Sequence, residues 1–158
     1  MPPSAFLAMM VGPAQACQRA TGIPASFTLA QAALESGWGA RCPGNNLFGI
    51  KADKAWKGPT VDVDTHEVIK GQRVAITDKF RAYASWAECM VDHAAFFKAN
   101  PRYRDCFKQT TGEGWARAVA AAGYATDPNY ASLLISVMGN RPGGRNMAQY
   151  DLPAKVPA

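Results

Sequence analysis

The residue best suited to acid chemistry is Glu35, which follows Ala32, Ala33 and Leu34 and shortly precedes Trp38. Removal from water disfavours the charged form of a carboxyl group, and a position at the C-terminal end of a helix dipole acts in the same direction. A carboxylic acid that stays protonated near neutral pH can serve as a general acid. The alternative, which composition alone favours, is a surface glutamate in the last turn of a helix.

A second group of carboxylates lies further along the chain, at Asp62, Asp64 and Glu67. The alternation of apolar and polar residues in this segment is typical of a strand, in which successive side chains point to opposite faces. Glu67 therefore shares a face with Val61 and Val63, whereas the two aspartates point the other way. One face lines a cleft and the other meets solvent. The alternation of side chains therefore divides the candidates for a second acid–base group into two sets, but it does not show which set faces the cleft.

Tyr124 is a third candidate, because it follows Gly123 at the predicted end of a helix. An aromatic ring placed there can line a cleft, and its hydroxyl can orient or polarise a bound group. The alternative is a tyrosine that packs against the end of the helix. Asp127 is more simply an N-cap of the following helix than a catalyst, and Trp86 and Trp115 fall on apolar helical stripes that predict core positions.

The charge of the chain limits its partners, because seventeen Lys and Arg against twelve Asp and Glu give a formal charge of +5. This excess favours a polyanion such as a nucleic acid, an anionic membrane or the bacterial wall. The basic residues are scattered rather than clustered or interleaved with aromatic residues, so we expect no nucleic-acid groove. No apolar run approaches the roughly 20 residues that span a bilayer, and the N-terminus lacks the pattern of a secretory signal.

Four cysteines and two histidines give little indication of a metal site. The cysteines lack the close paired spacing of zinc ligands, and His66 and His93 stand alone, so we expect no metal or other cofactor. An even number of cysteines allows disulfides in an oxidising compartment, or buried thiols elsewhere. We expect at least one disulfide among these four residues: Cys17, Cys42, Cys89 and Cys106.

Helices are predicted on both sides of the carboxylate-rich segment. Ser4 is predicted to cap a first helix that Gly12 and Pro13 break before a second helical stretch over 13–21. A helix from Pro24 to Gly37 places Glu35 in its last turn. Three more helices are predicted after the carboxylate-rich segment. Ser85 with Glu88 forms a capping box for the first, and Thr110 with Glu113 forms one for the second, which Gly123 ends. Asp127 with Pro128 marks the start of the third.

The segment over 48–84 lacks helical periodicity and is predicted to form a two- or three-stranded hairpin lobe with its turn at Lys70 and Gly71. The expected fold class is α+β and mainly helical: a helical body with a small β-hairpin lobe, between which a groove can hold an extended polymer as substrate. We expect a single domain over 1–139 and a poorly ordered tail over 140–158, which is rich in Gly, Pro and polar residues.

Five stretches of the sequence resemble the glucosaminidases of glycoside hydrolase family 73, which include the hydrolase domain of the flagellar rod-cap protein. They occur in the family's order, and the resemblance extends over roughly residues 4–138, which is nearly the whole chain. The stretch around Glu35 resembles the family's catalytic helix, and the last resembles its C-terminal signature. The five stretches are residues 30–39 (AQAALESGWG), 45–52 (NNLFGIKA), 56–59 (WKGP), 80–83 (FRAY) and 124–131 (YATDPNYA).

This resemblance implies a lysozyme-like fold, cleavage of the bond after N-acetylglucosamine in peptidoglycan, and Glu35 as the general acid. Counted from residues 57–59, it places the second carboxylate on Glu67, and it implies that Tyr124 matters for activity. Asp62, Asp64 or the substrate's own 2-acetamido group remain alternatives for the second role. The expected substrate-binding residues are Asn46, Phe48, Asp64 and Tyr130.

Two other activities remain open on the sequence. A muramidase or lytic transglycosylase shares the lysozyme-like plan and a single acidic residue followed by Ser, although residues 124–128 favour a glucosaminidase. A non-catalytic peptidoglycan-binding module is the alternative of another class, but such modules usually form short repeats and none is present in the sequence.

The sequence also suggests a biological setting. We expect action in the periplasm or cell wall on peptidoglycan glycan strands, by a monomer without a membrane or nucleic-acid partner. Because the sequence carries no export signal, we expect delivery either through a holin, as a phage lysis enzyme, or by a secretion apparatus, as an antibacterial effector. The second route predicts a cognate immunity protein that blocks the cleft.

Overall fold

Five α-helices and one β-hairpin make up the regular structure that the computed structural model describes over residues 1–153. Short 3₁₀ helices connect them at Pro43–Asn45, Pro101–Lys108 and Met147–Tyr150. The elements, in chain order, are α1 Pro3–Thr21, α2 Ala25–Ser36, β1 Thr60–Ile69, β2 Gln72–Arg81, α3 Trp86–Ala99, α4 Gly112–Ala121 and α5 Tyr130–Met138.

The first helix differs from the sequence prediction, because α1 runs unbroken through Pro13. A proline inside a helix removes one backbone donor and leaves the carbonyl four residues earlier unpaired. Here that residue is Met9, which is 55% exposed, so water can satisfy its carbonyl. The predicted cap at Ser4 is also displaced, since the helix begins at Pro3 with Pro2 as its N-cap.

The second helix, α2, is the central element of the body. Its residues are buried on almost every side, including Phe27, Leu29 and the polar Gln31. Gly37 ends it in the left-handed conformation with φ 57°, where a side chain would be strained. The prediction that Glu35 lies in the last turn is therefore confirmed.

The hairpin forms as its sequence pattern predicts. Strands β1 and β2 pair antiparallel, with Thr60 opposite Arg81 and Ile69 opposite Gln72. Lys70 and Gly71 connect them with φ of 51° and 77°, a pair of positive values that matches the twist of a two-residue hairpin turn. An isolated bridge from Lys51 to Phe80 ties the preceding loop to this hairpin.

Two of the remaining helices have side-chain caps. Ser85 accepts a hydrogen bond from the backbone N–H of Glu88 and starts α3 as predicted. Thr111 caps α4, one residue later than predicted. The aromatic core between these helices and α2 centres on Phe27, which lies 5.8 Å from Phe97 and 5.4 Å from Trp115 between ring centroids. This core links α2 to α3 and α4 through aromatic side chains.

The prediction of a poorly ordered tail differs from the structure over residues 140–153. Met147 is fully buried, and the carboxylate of Asp151 accepts hydrogen bonds from the backbone N–H and the hydroxyl of Ser26 at 2.7 Å each. Gln18 accepts from the backbone N–H of Leu152 at 2.9 Å. Polar residues that suggested disorder instead cap the N-terminus of α2. The rest of the predicted tail, residues 154–158, lies outside the described residues.

All four cysteines are free thiols in the structure, which contradicts the expected disulfide. Three of them are buried in the apolar core, and burial raises the pKa of the Cys17 and Cys106 thiols and that of Cys89 to about 12. Within residues 1–153, no group of three His, Cys, Asp or Glu side chains could hold a metal ion. No helix in the same range is long and apolar enough to cross a membrane.

Candidate active site

A groove of about 410 Å³ runs between the helical body and the segment that leads into the hairpin, and Glu35 lies in its wall. The last turn of α2 supplies Glu35, and α3 supplies Phe96. The body also contributes tyrosines from the segment after α3 and from the α4–α5 connection. The remaining lining residues are Phe48, Gly49, Ile50, Lys51, Asp53, Tyr103, Tyr124 and Ala125.

The carboxyl group of Glu35 is suited to hold a proton. Glu35 as a residue is exposed to the groove, yet the protein packed around its carboxyl group raises the pKa of that group by desolvation. A hydrogen bond from Tyr130 opposes this effect and lowers the pKa, but burial is the larger cause. The net result is a carboxyl group that stays protonated to a higher pH than an ordinary glutamate.

Glu35 stands at one end of a chain of hydrogen bonds that leads into the core. The hydroxyl of Tyr130 donates to Oε1 of Glu35 at 2.7 Å. The side-chain amide of Gln31 donates to the same hydroxyl at 2.9 Å, and Nε2 of His93 lies 2.6 Å from Oε1 of Gln31. Three helices therefore contribute to holding the carboxyl group, since α2 carries Gln31 and Glu35, α3 carries His93 and α5 carries Tyr130.

The structure brings Tyr124 to the groove beside Glu35, as the sequence predicted. Its ring stacks on that of Tyr130, with centroids 5.7 Å apart and planes 14° from parallel. Desolvation first, then the nearby charge of Glu35, raises the pKa of its hydroxyl, so Tyr124 is a neutral donor or acceptor. Its role in catalysis stays a prediction.

The hairpin separates the three candidate carboxylates by face. Glu67 lies on the face that carries Asp78, and Lys51 links both to the groove, with its Nζ 3.0 Å from Asp78 and 3.9 Å from Glu67. Asp64 lies on the opposite face and accepts a hydrogen bond from Thr77 at 2.9 Å. Asp62 shares that face and pairs with Lys79, also at 2.9 Å. The two aspartates therefore lie on the hairpin face opposite to the one that Lys51 contacts, and a substrate contact by Asp64 stays a prediction.

The other expected sugar-binding residues have structural contacts of their own. Asn46 is buried, and its side chain bonds to the backbones of Phe48, Ile50 and Arg81, which shapes the loop into the hairpin. Phe48 does line the groove, with its ring stacked on His93 at 3.6 Å. Tyr130 is buried and contacts Glu35, so it supports the acid rather than facing the groove.

Sequence reasoning missed Gln31, His93 and Lys51. An amide side chain at position 31, between alanines and leucines, was a usable signal, because buried polar groups need partners. The partner could not be read, since His93 lies 62 residues further along the chain. Lys51 carries no local signal, because its place depends on how the loop meets β2.

Comparisons with known proteins agree with this geometry. A family model described as mannosyl-glycoprotein endo-β-N-acetylglucosaminidase matches residues 11–141. Peptidoglycan hydrolase FlgJ of Salmonella typhimurium is 43% identical over 140 residues, which cover 84% of this chain and 44% of that protein. Exo-glucosaminidase LytG of Bacillus subtilis is 36% identical over 141 residues, which cover 84% of this chain and 49% of that protein.

A solved structure supports the same assignment. The crystal structure of a peptidoglycan hydrolase mutant from Sphingomonas sp. A1 superposes with a TM-score of 0.78 at 38% identity, over 92% of this chain and 96% of that one. The chain spans less than half the length of the two curated relatives. The predicted fold class is confirmed, and the chain belongs to the glucosaminidases of glycoside hydrolase family 73.

Proposed function

We propose that this protein hydrolyses peptidoglycan as an endo-β-N-acetylglucosaminidase, at the bond between N-acetylglucosamine and N-acetylmuramic acid, with Glu35 as general acid. The observation that carries the proposal is the Glu35 carboxyl group, which lies in an open groove with a raised pKa and a hydrogen bond from a buried tyrosine. The names of the relatives, peptidoglycan hydrolase and exo-glucosaminidase, support the substrate and the reaction class.

In the first step, the Glu35 carboxyl group gives its proton to the glycosidic oxygen while the bond from that oxygen to the anomeric carbon breaks. The bonding electrons leave with the oxygen, and the anomeric carbon develops positive charge. Glu35 is left as a carboxylate, and the hydroxyl of Tyr130 stabilises it through the hydrogen bond to Oε1. The leaving sugar chain departs with the transferred proton.

For the second role we propose Glu67, which acts on the attacking group at the anomeric carbon. Its support is the inner face of the hairpin, which Glu67 shares with Asp78 and which Lys51 connects to the groove. The alternative is attack by the oxygen of the substrate's 2-acetamido group, which needs no second carboxylate. Glu67→Gln, with Asp64→Asn as the matched control on the opposite face, separates these two mechanisms.

Tyr124 completes the proposed site. Its position beside Glu35 and its neutral hydroxyl support a role in orienting the N-acetyl group of the sugar in the groove. Loss of the hydroxyl in Tyr124→Phe should lower kcat while leaving the fold intact, because the ring still stacks on Tyr130.

The deciding experiment is digestion of purified peptidoglycan by the wild type and by Glu35→Gln, followed by borohydride reduction and mass spectrometry of the fragments. New N-acetylglucosaminitol ends with the wild type, absent with the variant, support the proposal. Muramitol ends indicate a muramidase, anhydro-muramic products indicate a transglycosylase, and an undiminished variant removes Glu35 as the acid. Early release of long fragments distinguishes endo- from exo-cleavage.

The biological setting stays a proposal. We infer action in the periplasm or cell wall by a monomer that reaches it through a holin or a secretion apparatus. The positive net charge supports contact with an anionic wall. An effector has a neighbouring gene that encodes an immunity protein, and co-expression of that gene abolishes wall digestion. If no neighbouring product binds the enzyme, the effector route is wrong.

A further inference from the structure

The polar side chains behind Glu35 form a continuous path through the core. Gln31 and Glu35 are four residues apart and therefore lie on one face of α2. Tyr130 bridges them, and His93 reaches Gln31 from α3 across a 2.6 Å contact. Gln31, His93 and Tyr130 are each at most 4% exposed. The path therefore begins in the dry core and ends at a groove that solvent enters.

The direction of the hydrogen bonds along this path follows from Glu35, the residue at its end. An ionised Glu35 can only accept hydrogen bonds, so the hydroxyl proton of Tyr130 is committed to Oε1. The oxygen of Tyr130 must then accept from the amide of Gln31. This fixes the orientation of the amide, and its Oε1 is left to accept from His93. Each proton in the chain thus points towards Glu35.

His93 is suited to begin such a chain. Burial lowers its pKa to about 3, so the ring is neutral and carries one proton. The contact with Gln31 requires that proton on Nε2. Phe48 stacks on one side of the ring at 3.6 Å, and Phe97 meets it edge-on at 4.8 Å between centroids. These aromatic contacts hold the ring plane, and with it the direction of the Nε2–H bond.

We propose that His93 and Gln31 are positioning residues, which hold the Tyr130 hydroxyl as a donor to Oε1 of Glu35 and so leave Oε2 to carry the catalytic proton. Among residues 1–153, Oε2 of Glu35 has no side-chain partner, in contrast to Oε1. The inference rests on the proposed function only in treating Glu35 as the general acid. It does not depend on which sugar bond is cleaved.

Other groups facing Glu35 also affect its proton, and the test must separate them. Lys51 and Asp53 approach from the loop before β1, where they carry opposite charges. Tyr103 and Tyr124 approach from the segments after α3 and α4, and desolvation followed by the charge of Glu35 raises the pKa of the Tyr124 hydroxyl. None of these four contacts Gln31 or His93 by a hydrogen bond within residues 1–153. By hydrogen bonds, a change at Gln31 or His93 therefore reaches Glu35 through Tyr130, while His93 also contacts the groove through the ring of Phe48, so Gln31→Leu is the cleaner variant.

The first arm of the test is the pH dependence of kcat on purified peptidoglycan fragments. Tyr130→Phe removes the hydrogen bond that favours ionised Glu35, so the basic limb of the profile should move up by about one pH unit. Gln31→Leu leaves the hydroxyl free to rotate, and should move the limb in the same direction by about half as much. Both variants should lower kcat at its optimum by about tenfold.

Matched variants control for simple damage to the core. Thr28→Val removes a buried hydroxyl from the same helix without touching the path, and should leave the limb in place. His93→Leu should behave like Gln31→Leu, whereas His93→Gln keeps an N–H donor and should restore most of the wild-type profile. If Gln31→Leu keeps the wild-type limb, or if Thr28→Val shifts it equally, the proposal is wrong.

The second arm begins with a measurement on the wild type that does not depend on activity. ¹⁵N NMR of the wild type should show a neutral His93 with its proton on Nε2, and ¹³C NMR should follow the titration of the Glu35 carboxyl group. A proton on Nδ1 contradicts the proposal, even if Gln31→Leu is unfolded. If Glu35→Gln is inactive but the Glu35 titration is unchanged in Gln31→Leu, the positioning role is wrong and the assignment of Glu35 as general acid stands. If Glu35→Gln is active but the Glu35 titration shifts in Gln31→Leu, Glu35 is not the general acid, although Gln31 still positions its hydrogen bond.

Discussion

The helical body around Glu35 and the β-hairpin satisfy their polar groups in opposite ways. In the body, His93, Gln31 and Tyr130 are buried and bonded to one another in a fixed order. On the hairpin, Asp62 pairs with Lys79 in contact with solvent, where such pairs contribute about 0–1 kcal/mol. The body therefore holds Glu35, the proposed proton donor, through buried hydrogen bonds, whereas the hairpin presents Glu67 with its side chain about half exposed.

The largest expected effect tests the fixed side of this comparison. Glu35→Gln should lower kcat by about 10²- to 10⁴-fold, because a positioned general acid contributes that much to a glycosidic cleavage. The measurement is the rate of reducing-end formation on purified peptidoglycan. Asp62→Asn, on the outer face of the hairpin, should retain wild-type activity, and an equal loss in both variants would contradict the assignment.

A stability experiment compares the two regions directly. Trp115→Ala should lower the free energy of unfolding by about 3–5 kcal/mol, because it empties a fully buried site between α4 and the aromatic core. Val68→Ala, at a hairpin position that is 75% exposed, should change it by less than about 0.5 kcal/mol. Denaturant unfolding measures both, and comparable losses would show that the hairpin is as tightly packed as the body.

A smaller effect is expected at the hairpin carboxylate. Glu67→Gln should lower kcat by about 10- to 100-fold, because the second group assists an attack that the substrate's own acetamido group can partly supply. Rescue of the rate by azide, with formation of a glycosyl azide, would place Glu67 beside the anomeric carbon. If Glu67→Gln kept full activity, the 2-acetamido group of the substrate would be the second catalytic group.

The weakest effect concerns pH and stability. The pKa of Glu35 is raised in the folded protein, so the folded state holds this proton above the ordinary value of 4.5 and loses stability as the pH rises through that window. The Glu35→Gln variant has no carboxyl group at this position, so it does not lose stability in this way as the pH rises. Its free energy of unfolding should exceed that of the wild type at neutral pH, and the difference should shrink as the pH falls towards 4.5. A constant difference would show that Glu35 titrates normally.

The sequence predicted those features that depend on neighbouring residues. Gly37 ended α2, Lys70 and Gly71 made the hairpin turn, and Ser85 capped α3, each through local backbone chemistry. The alternation of side chains along β1 likewise predicted that Glu67 and Asp64 lie on opposite faces of the hairpin. These signals work because a cap, a turn or a strand face is determined within a few residues.

Features that depend on distant partners were not predictable in this way. Pro13 was read as a helix break, because nothing local shows that the unpaired carbonyl would face water. Gln31 was left without a role, since its contacts with His93 and Tyr130 join residues 62 and 99 positions away. Asp151 was assigned to a tail, although its partner Ser26 is 125 residues earlier. Tertiary packing, rather than propensity, decides these positions.

The cap that Asp151 places on α2 affects where this domain can be cut. The family match ends at residue 141, yet the backbone N–H and the hydroxyl of Ser26, at the start of the helix that carries Glu35, both bond to Asp151, ten residues beyond that boundary. A chain shortened to that family boundary would lose Met147 from the core and uncover the end of α2 opposite the acid. For fusion or truncation of this enzyme, the boundary should therefore be placed beyond Leu152 rather than at the end of the family match.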